Sequence, residues 1–240
     1  MRDFSSTTLD VSKIRAIGLD LDDTLWPVWP TIERAEVQLQ QWLSERAPTA
    51  AELFSRLDAR LELRQQVLAA RPDLGHDMSA VRRECLRLAL QRSGEDTTLA
   101  EPAFEVFLEQ RMRVDLFADV LPALRFLAGR YPVVAISNGN ADVGRVGLAE
   151  HFTASMSAHL FGVAKPDIRI FHAAAAAAGV RADQVLHVGD DPLLDVLGGL
   201  DAGMQTAWVN RAAHEWKHDA RPHASVTDLR ELCELLGGPS

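Results

Sequence analysis

Short apolar runs that end in polar residues constrain the fold of this chain more than any other feature. The runs are IRAIGLDL at 14–21, YPVVAIS at 131–137 and QVLHVG at 184–189. Apolar runs of this length, without polar alternation, are typical of strands buried on both faces of a sheet. Segments with helical spacing lie between them: 119–128, a stretch from 141, 167–178 and 193–202. The alternation predicts parallel βαβ units with helices on both faces.

Further segments extend this pattern towards the end of the sequence. We expect a strand at 205–210, which reads QTAWVN, and another at 157–163, which reads SAHLFGV. The last segment has helical spacing after a cap near Thr227, and two glycines at 237–238 end it.

The region between residues 27 and 114 has a different pattern, because apolar residues recur there at helical spacing only. We expect four amphipathic helices, separated by the loop sequences ERAPTA, RPDLGHD and RSGEDTT. The sequence therefore predicts a discontinuous α/β core, residues 1–26 plus 115–240, with a helical insert at 27–114.

Composition narrows the possible partners. The net charge of −9 argues against nucleic acid and anionic membranes as partners, and a phosphorylated substrate would need local cations. No signal-peptide pattern and no long apolar run occurs, so we expect a cytoplasmic protein. Cys85 and Cys233 lie in apolar helical patterns, which favours buried free thiols. The sequence does not indicate an oligomeric state.

Polar side chains stand where the predicted strands end, and this is the edge at which open α/β sheets bind ligands. Asp20 and Asp190 follow two of these strands, and such a pair of carboxylates suits Mg²⁺. Ser137 and Lys165 offer a hydroxyl and an ammonium, the groups that neutralise and orient a phosphoryl group. One carboxylate remains free for proton transfer, and the alternation of a strand would let both Asp20 and Asp22 reach one substrate. The sequence therefore predicts phosphoryl chemistry on a small phosphorylated metabolite.

The segments DLDDT, SNG, AKPD and VGDDPLLD resemble the four motifs of the haloacid dehalogenase-like hydrolase superfamily, in the order of that family. The helical insert after the first motif resembles the cap of its first subfamily. The resemblance implies a Rossmann-like parallel sheet core with an inserted all-helical cap. More narrowly, SNGNAD, VGDD and HDMSAVR resemble the bacterial phosphatases of riboflavin biosynthesis that act on 5-amino-6-(5-phosphoribitylamino)uracil or FMN.

The resemblance also implies a role for each motif residue. Asp20 would be the nucleophile that forms an aspartyl-phosphate, and Asp22 would protonate the leaving alcohol and then activate water. Mg²⁺ would bind Asp20, the main-chain carbonyl of Asp22 and Asp190, while Lys165 would neutralise the phosphoryl group. The remaining predicted site residues are Thr24, Ser137, Asn138, Gly139, His76 and Arg82 for substrate binding, with Asp191 and Asp195 in support.

Several alternatives remain open. The substrate of a phosphatase could instead be a sugar phosphate or phosphoglycolate, and a phosphomutase uses the same acids. A haloacid dehalogenase needs no acid such as Asp22 to protonate a halide, and a non-catalytic phospho-receiver needs no large cap. Trp26 and Trp29 either pack the connection to the insert or stack on an aromatic substrate. His76 and Arg82 fit a solvated helix start equally well, and we expect His187 to be a hydrogen-bonded core residue.

Overall fold

The computed structural model describes residues 8–238, which divide into two compact units. One unit comprises the described residues up to Pro27 together with those from Leu116 onwards, and the other is Val28–Asp115. Within the described part of the chain, no helix combines the length and apolar character needed to cross a membrane.

The first unit, called the core unit below, is built on one parallel sheet. Its described strands are β1 Ala16–Leu19, β2 Val133–Ser137, β3 Ala154–Ser157, β4 Val185–Gly189, β5 Gln205–Val209 and β6 Ala224–Val226. They run in the order β3-β2-β1-β4-β5-β6, and every neighbouring pair is parallel. This arrangement confirms the predicted Rossmann-like α/β fold. The order also reverses beside β1, so the ends of β1, β2 and β4 form a switch point at which such sheets bind ligands.

The second unit, called the insert below, is helical. Its helices are α1 Val28–Arg46, α2 Pro48–Ser55, α3 Leu57–Ala70, α4 Met78–Arg92 and α5 Ala100–Arg111. Their apolar faces meet in one cluster that includes Leu39, Leu63, Leu90 and Phe104. The 3₁₀ turn Pro72–His76 joins α3 to α4.

The helices of the core unit cover its sheet. They are α6 Val120–Ala128, α7 Ala158–Phe161, α8 Ile168–Ala177, α9 Gly198–Asp201 and α10 Leu229–Leu235, with a π-helical segment at Pro192–Leu197. The alanine-rich α8 packs closely on the strands, because Ile170 and Phe171 join Val134 and Ile136 in one buried cluster.

Three local predictions were wrong, and one short strand was missed. Residues 157–163 are not a strand: β3 ends at Ser157, and α7 follows directly. The helix expected from 141 is a series of turns, where Gly147 has a φ of 81°. The insert has five helices instead of the expected four, because extended backbone at Arg56 divides one expected helix into α2 and α3. Strand β6 was not predicted, since its three residues are too short to carry a pattern.

Candidate active site

The carboxyl end of β1 places Asp20 in the middle of the sheet. β1 pairs with β2 on one side and β4 on the other, and the Asp20 N–H continues the ladder by donating to the Val188 carbonyl at 2.9 Å. The Asp20 side chain is buried, with 9% of its surface exposed. A carboxylate held this way has little freedom to move, which suits a nucleophile that must attack along one line.

Lys165 joins two carboxylates in the site. Its Nζ donates to Asp20 Oδ1 at 2.5 Å and to Asp195 Oδ1 at 2.6 Å, and all three side chains are buried. Asn138 fixes the backbone of this lysine, because Lys165 N donates to Asn138 Oδ1 at 2.7 Å and Asn138 Nδ2 donates to the Lys165 carbonyl at 2.9 Å. The ammonium is therefore held against the predicted nucleophile by both its side chain and its backbone.

The charges in this cluster do not balance. Burial, together with the nearby Asp195 and Asp190 carboxylates, raises the pKa of Asp20 well above its ordinary value despite the Lys165 ammonium. Burial and the charges of Asp195 and Asp23 raise the pKa of Asp190 to about 7. Burial alone would lower the pKa of Lys165, but Asp195 and Asp20 raise it above its ordinary value. Both raised carboxyl pKa values indicate a site that favours additional positive charge.

The acidic cluster fits a hard cation. One oxygen each from Asp20, Asp190 and Asp195 lies within 4.8 Å of the others. Asp195 is already engaged, because Oδ1 accepts hydrogen bonds from Lys165 and His187 and Oδ2 accepts one from the Asp191 N–H at 3.1 Å. Asp20 and Asp190 are thus the better candidate ligands, and two carboxylates completed by water and phosphate oxygens are what Mg²⁺ prefers.

The turn after β4 brings Asp195 back towards the site. Residues Pro192–Leu197 form a π-helical segment that Asp191 caps, because the Asp191 carboxylate accepts from the N–H groups of Leu193 and Leu194. Gly189 makes room for the returning side chain, since a Cβ at that position would lie 2.2 Å from Asp195 Cγ. Asp191 therefore caps a helical turn, whereas Asp195 contacts Lys165.

In the loop after β1, a hydrogen bond from a tryptophan side chain holds Asp22. Asp23 adopts the left-handed conformation with a φ of 58°, and its N–H donates to the Trp26 carbonyl at 2.8 Å. This turn brings Trp26 Nε1 within 2.9 Å of Asp22 Oδ1, to which it donates. Trp26 is completely buried. Its ring therefore packs inside the protein and does not offer a face on which a substrate could stack. Trp29, in contrast, is 69% exposed.

Ser137 and its neighbours form the end of β2. Ser137 is buried, and its Oγ accepts a hydrogen bond from the Gly139 N–H at 3.0 Å. Thr24 is also buried and donates to Asp190 Oδ1 at 3.2 Å. The residues predicted from the four motifs thus converge at the carboxyl ends of β1, β2 and β4. Their individual roles in catalysis and binding stay predictions.

Comparison with known proteins gives the family. The model of the haloacid dehalogenase-like hydrolases matches residues 14–203, a range that contains every motif residue described above. The chain belongs to this family. The predicted resemblance is therefore confirmed.

Some relatives of this hydrolase are named phosphatases and others dehalogenases. It is 32% identical to the 5-amino-6-(5-phospho-D-ribitylamino)uracil phosphatase YigB of Escherichia coli, over 94% of this chain and 98% of that protein. It is 33% identical to a phosphoserine phosphatase of Thermus thermophilus, over 63% of each chain. The crystal structure of a 2-haloacid dehalogenase from Pseudomonas syringae superposes with a TM-score of 0.89 at 39% identity, over 93% of this chain and 98% of that one. The phosphatase relatives support the predicted enzyme class.

The two site residues predicted in the insert of this hydrolase lie in different settings. Arg82, on α4, makes an ion pair with Glu36 at 2.7 Å, and its guanidinium lies 3.7 Å from the centroid of the Phe107 ring. His76 ends the 3₁₀ turn before α4. Arg82 therefore has structural partners within the insert. A role in substrate binding stays a prediction for both residues.

Sequence reasoning missed two residues that hold the site from β5. Trp208 Nε1 donates to the Asp190 carbonyl at 2.7 Å, and Arg211 donates to the Thr24 carbonyl at 3.0 Å while pairing with Asp119 at 2.8 Å. Trp208 lies in the predicted strand QTAWVN and Arg211 directly follows it, and this was the available signal, since both carry donors that need partners when buried.

Proposed function

We propose that this hydrolase is a Mg²⁺-dependent phosphomonoesterase that works through an aspartyl-phosphate on Asp20. The observation that carries the proposal is the buried cluster in which Asp20, Asp190 and Asp195 lie together and the Lys165 ammonium contacts two of them, Asp20 and Asp195. Three carboxylates with one ammonium are stable together only when further positive charge is present. A divalent cation supplies that charge, and a phosphate monoester is the substrate class that uses it.

The reaction follows from the groups present. An oxygen of Asp20 attacks phosphorus and forms the new P–O bond, while the bond from phosphorus to the alcohol oxygen breaks. Asp22 gives its proton to the departing alkoxide. It then takes a proton from a water molecule, whose oxygen attacks phosphorus and releases both inorganic phosphate and the Asp20 carboxylate.

Lys165 and the hydroxyl of Ser137 contribute charge and orientation in both steps. Lys165 neutralises the transferring group, and the anchored Asn138 keeps the lysine in place. Asp20, Asp190 and the Asp22 main-chain carbonyl would hold Mg²⁺, which would supply positive charge to the phosphoryl group. The hydrogen bond from Trp26 restricts the Asp22 carboxyl to a fixed position, which a proton donor and acceptor needs.

The proposed substrate is a phosphorylated ribityl compound of riboflavin biosynthesis, either 5-amino-6-(5-phosphoribitylamino)uracil or FMN. This rests on the resemblance of SNGNAD, VGDD and HDMSAVR and on the Escherichia coli relative, whose similarity extends over nearly the whole of both chains. Binding energy from the ring, far from phosphorus, would orient the phosphate and so appear in kcat/KM.

Dehalogenation is the second candidate, and the similarity to the Pseudomonas syringae structure favours it. Two features of the core unit weigh against it. A halide leaves without a proton, so a dehalogenase has no use for the restrained acid Asp22. Displacement of a halide from a haloacid makes no use of a divalent cation, and without one the buried Asp190 beside Asp20 would repel the haloacid carboxylate.

One screen tests these candidates together. Purified protein is assayed for phosphate release from FMN, the uracil precursor, ribose 5-phosphate, phosphoglycolate and p-nitrophenyl phosphate, with Mg²⁺ or with EDTA, and for halide release from 2-chloropropionate. We expect Mg²⁺-dependent phosphate release, highest with the flavin-pathway compounds. Halide release unaffected by EDTA, without phosphate release, would refute the phosphatase. A sugar phosphate or phosphoglycolate ahead by more than about tenfold, or ~1.4 kcal/mol, would refute only the proposed substrate.

The same screen covers the phosphomutase alternative and the insert residues. Hydrolysis without any added sugar bisphosphate excludes a mutase. If His76 and Arg82 contact the ring, then His76→Ala and Arg82→Ala should lower kcat/KM for FMN and leave p-nitrophenyl phosphate nearly unchanged. Arg92→Ala is the control, because this arginine of α4 pairs with Glu62 within the insert and no ring contact is expected from it. Equal losses on both substrates would point to a folding defect instead.

A further inference from the structure

His187 is a buried ionisable residue that the proposed mechanism does not use. It lies in β4, none of its side chain is exposed, and its Nε2 is 2.9 Å from Asp195 Oδ1. Burial lowers the pKa of His187, although Asp195 acts in the opposite direction. Burial would raise the pKa of Asp195, but Lys165 and His187 lower it to about 2, so this carboxylate accepts hydrogen bonds. Nε2 is the imidazole nitrogen that donates to it, since Nδ1 has no hydrogen-bond partner among the described residues.

The structure provides a fitted space for the imidazole ring. On β1, a Cβ at Gly18 would lie 2.9 Å from His187 Nδ1, so only a glycine leaves room there. The Phe171 ring meets the imidazole edge to face, with the centroids 5.0 Å apart. On the other side, a Cβ at Gly199 would be in ordinary contact with the His187 Cβ, at 3.5 Å. The ring therefore has one position, and its donor points at Asp195.

The hydrogen bond from His187 reaches the predicted catalytic groups in two further steps. Asp195 Oδ1 accepts from His187 Nε2 and also from Lys165 Nζ, and Lys165 Nζ donates in turn to Asp20 Oδ1. The Asp195 carboxylate can rotate about its Cβ–Cγ bond, so the direction of the lysine hydrogen bond depends on what fixes that rotation. The Asp191 N–H fixes Oδ2, and His187 fixes Oδ1.

We propose that His187 is a positioning residue: by donating to Asp195 Oδ1 it sets the carboxylate that holds the Lys165 ammonium against Asp20. The proposal rests on the proposed phosphatase function for its effect on rate, while its geometric part is independent of the substrate. His187 touches neither substrate nor reacting atoms in this scheme. Displacement of a charged group by about 1 Å near the reacting atoms costs up to about 100-fold in rate, so loss of the donor should lower kcat by about 10- to 100-fold.

The test compares variants that differ in the donor. His187→Leu fills the space without an N–H, whereas His187→Gln carries its amide nitrogen the same number of bonds from Cβ as Nε2 of histidine. His187→Asn is polar but too short to reach Asp195. Thr206→Val is the matched control, because Thr206 is the register partner of His187 on β5, is fully buried, and has no hydrogen-bond partner for its Oγ1 among the described residues.

Three measurements are made on each full-length variant: kcat and KM with p-nitrophenyl phosphate and Mg²⁺, the Tm, and a crystal structure. We expect His187→Leu and His187→Asn to lose about 10- to 100-fold in kcat. His187→Gln should recover at least half of that loss on a logarithmic scale. Thr206→Val should keep the kcat of the wild type. In the Leu and Asn structures the Asp195 carboxylate should rotate and Lys165 Nζ should move away from Asp20.

A double-mutant cycle adds a readout that a purely structural role would not change. If His187 acts through Lys165, His187→Leu costs much less kcat in a Lys165→Met background than in the wild type. Equal costs in both backgrounds, or an Asp195 carboxylate that keeps its position in His187→Leu, would overturn the proposal. If His187→Leu does not fold, the Gln and Asn pair decides in the same way.

Failure of the proposed function would look different. Wild-type protein without phosphatase activity, combined with a rotated Asp195 in the variant crystal structures, would refute the phosphatase and support the positioning role. Normal phosphatase activity in His187→Asn, with Asp195 in place, would refute the positioning role and leave the phosphatase intact.

Discussion

The clearest consequence of the site geometry concerns Gly189, the last residue of β4. A Cβ placed there would lie 2.2 Å from Cγ, 2.4 Å from Oδ2 and 2.6 Å from Cβ of Asp195. Ordinary carbon–carbon contacts lie at about 3.5–4.0 Å, so Gly189→Ala requires the carboxylate to move by at least ~1.3 Å. That shift is half the length of the 2.6 Å hydrogen bond from Lys165.

The displacement disrupts three hydrogen bonds together, since Asp195 accepts from Lys165, His187 and the Asp191 N–H. Breaking a buried ion pair by removing one partner costs about 3–5 kcal/mol of stability, and a misplacement of about 1 Å in an active site costs about 10²-fold in rate. We therefore expect Gly189→Ala to lower both Tm and kcat/KM for p-nitrophenyl phosphate, with the rate loss persisting in the fraction that is folded.

Gly199→Ala is the matched control for this prediction. Its Cβ would also meet a buried side chain, the Thr206 methyl at 2.7 Å, but it lies at no closer than ordinary contact distance from His187. It should reduce Tm while the folded protein keeps nearly wild-type kcat/KM. If Gly189→Ala retained wild-type kcat/KM after correction for the folded fraction, the reasoning that the rate depends on the position of Asp195 would be refuted.

The remaining predictions concern the metal, the proton donor and acid stability. EDTA should abolish phosphatase activity and Mg²⁺ should restore it, whereas Ca²⁺ should inhibit, because its longer and looser coordination disturbs the in-line geometry; full activity in EDTA would contradict the metal site. Asp22→Asn should slow hydrolysis of a sugar phosphate by about 10²–10⁴-fold, and a rapid-quench assay should find aspartyl-phosphate formation from p-nitrophenyl phosphate less affected; equal losses would exclude the acid role. Burial would raise the pKa of Asp119, but Arg211 and the Leu229 N–H lower it below the ordinary value of 3.8. The ionised Asp119 therefore stabilises the fold fully above pH 3.8, and this stabilisation disappears as the pH falls through the lower pKa of the folded state. Asp119→Asn should therefore reduce Tm at neutral pH and reduce it less in acid, as measured by thermal denaturation across pH; an unchanged Tm at neutral pH would contradict this.

Much of the fold was predictable because the strands that carry it are continuous apolar runs. β1, β2 and β4 are buried along their whole length, so their sequences contain no alternation that could be confused with a surface strand. The predictions failed where the pattern is short or ambiguous. SAHLFGV is apolar enough for a strand, yet its first residue ends β3 and the next four form a helical turn.

The candidate site was predictable at the level of residue type and position along the chain, but not at the level of partners. Asp20, Asp190 and Ser137 stand at strand ends, and the topology of a parallel sheet brings such ends together. Lys165 was expected at the end of a strand as well, but it lies in the loop after α7. The hydrogen bonds from His187 to Asp195 and from Trp208 to the Asp190 carbonyl depend on side-chain directions across neighbouring elements. No local pattern in one sequence encodes those directions.

If phosphoryl transfer passes through Asp20, the aspartyl-phosphate can be trapped on this residue. Asp22→Asn is mixed with p-nitrophenyl phosphate and Mg²⁺, quenched in acid within the first turnover, digested and analysed by mass spectrometry. The phenolate leaves without an acid, but the variant lacks the base for the second step, so the intermediate should accumulate. We predict a burst of p-nitrophenol equal to the enzyme concentration and one phosphoryl group on Asp20. Turnover without a burst, together with an unmodified Asp20 or a phosphoryl group on another residue, would contradict the account.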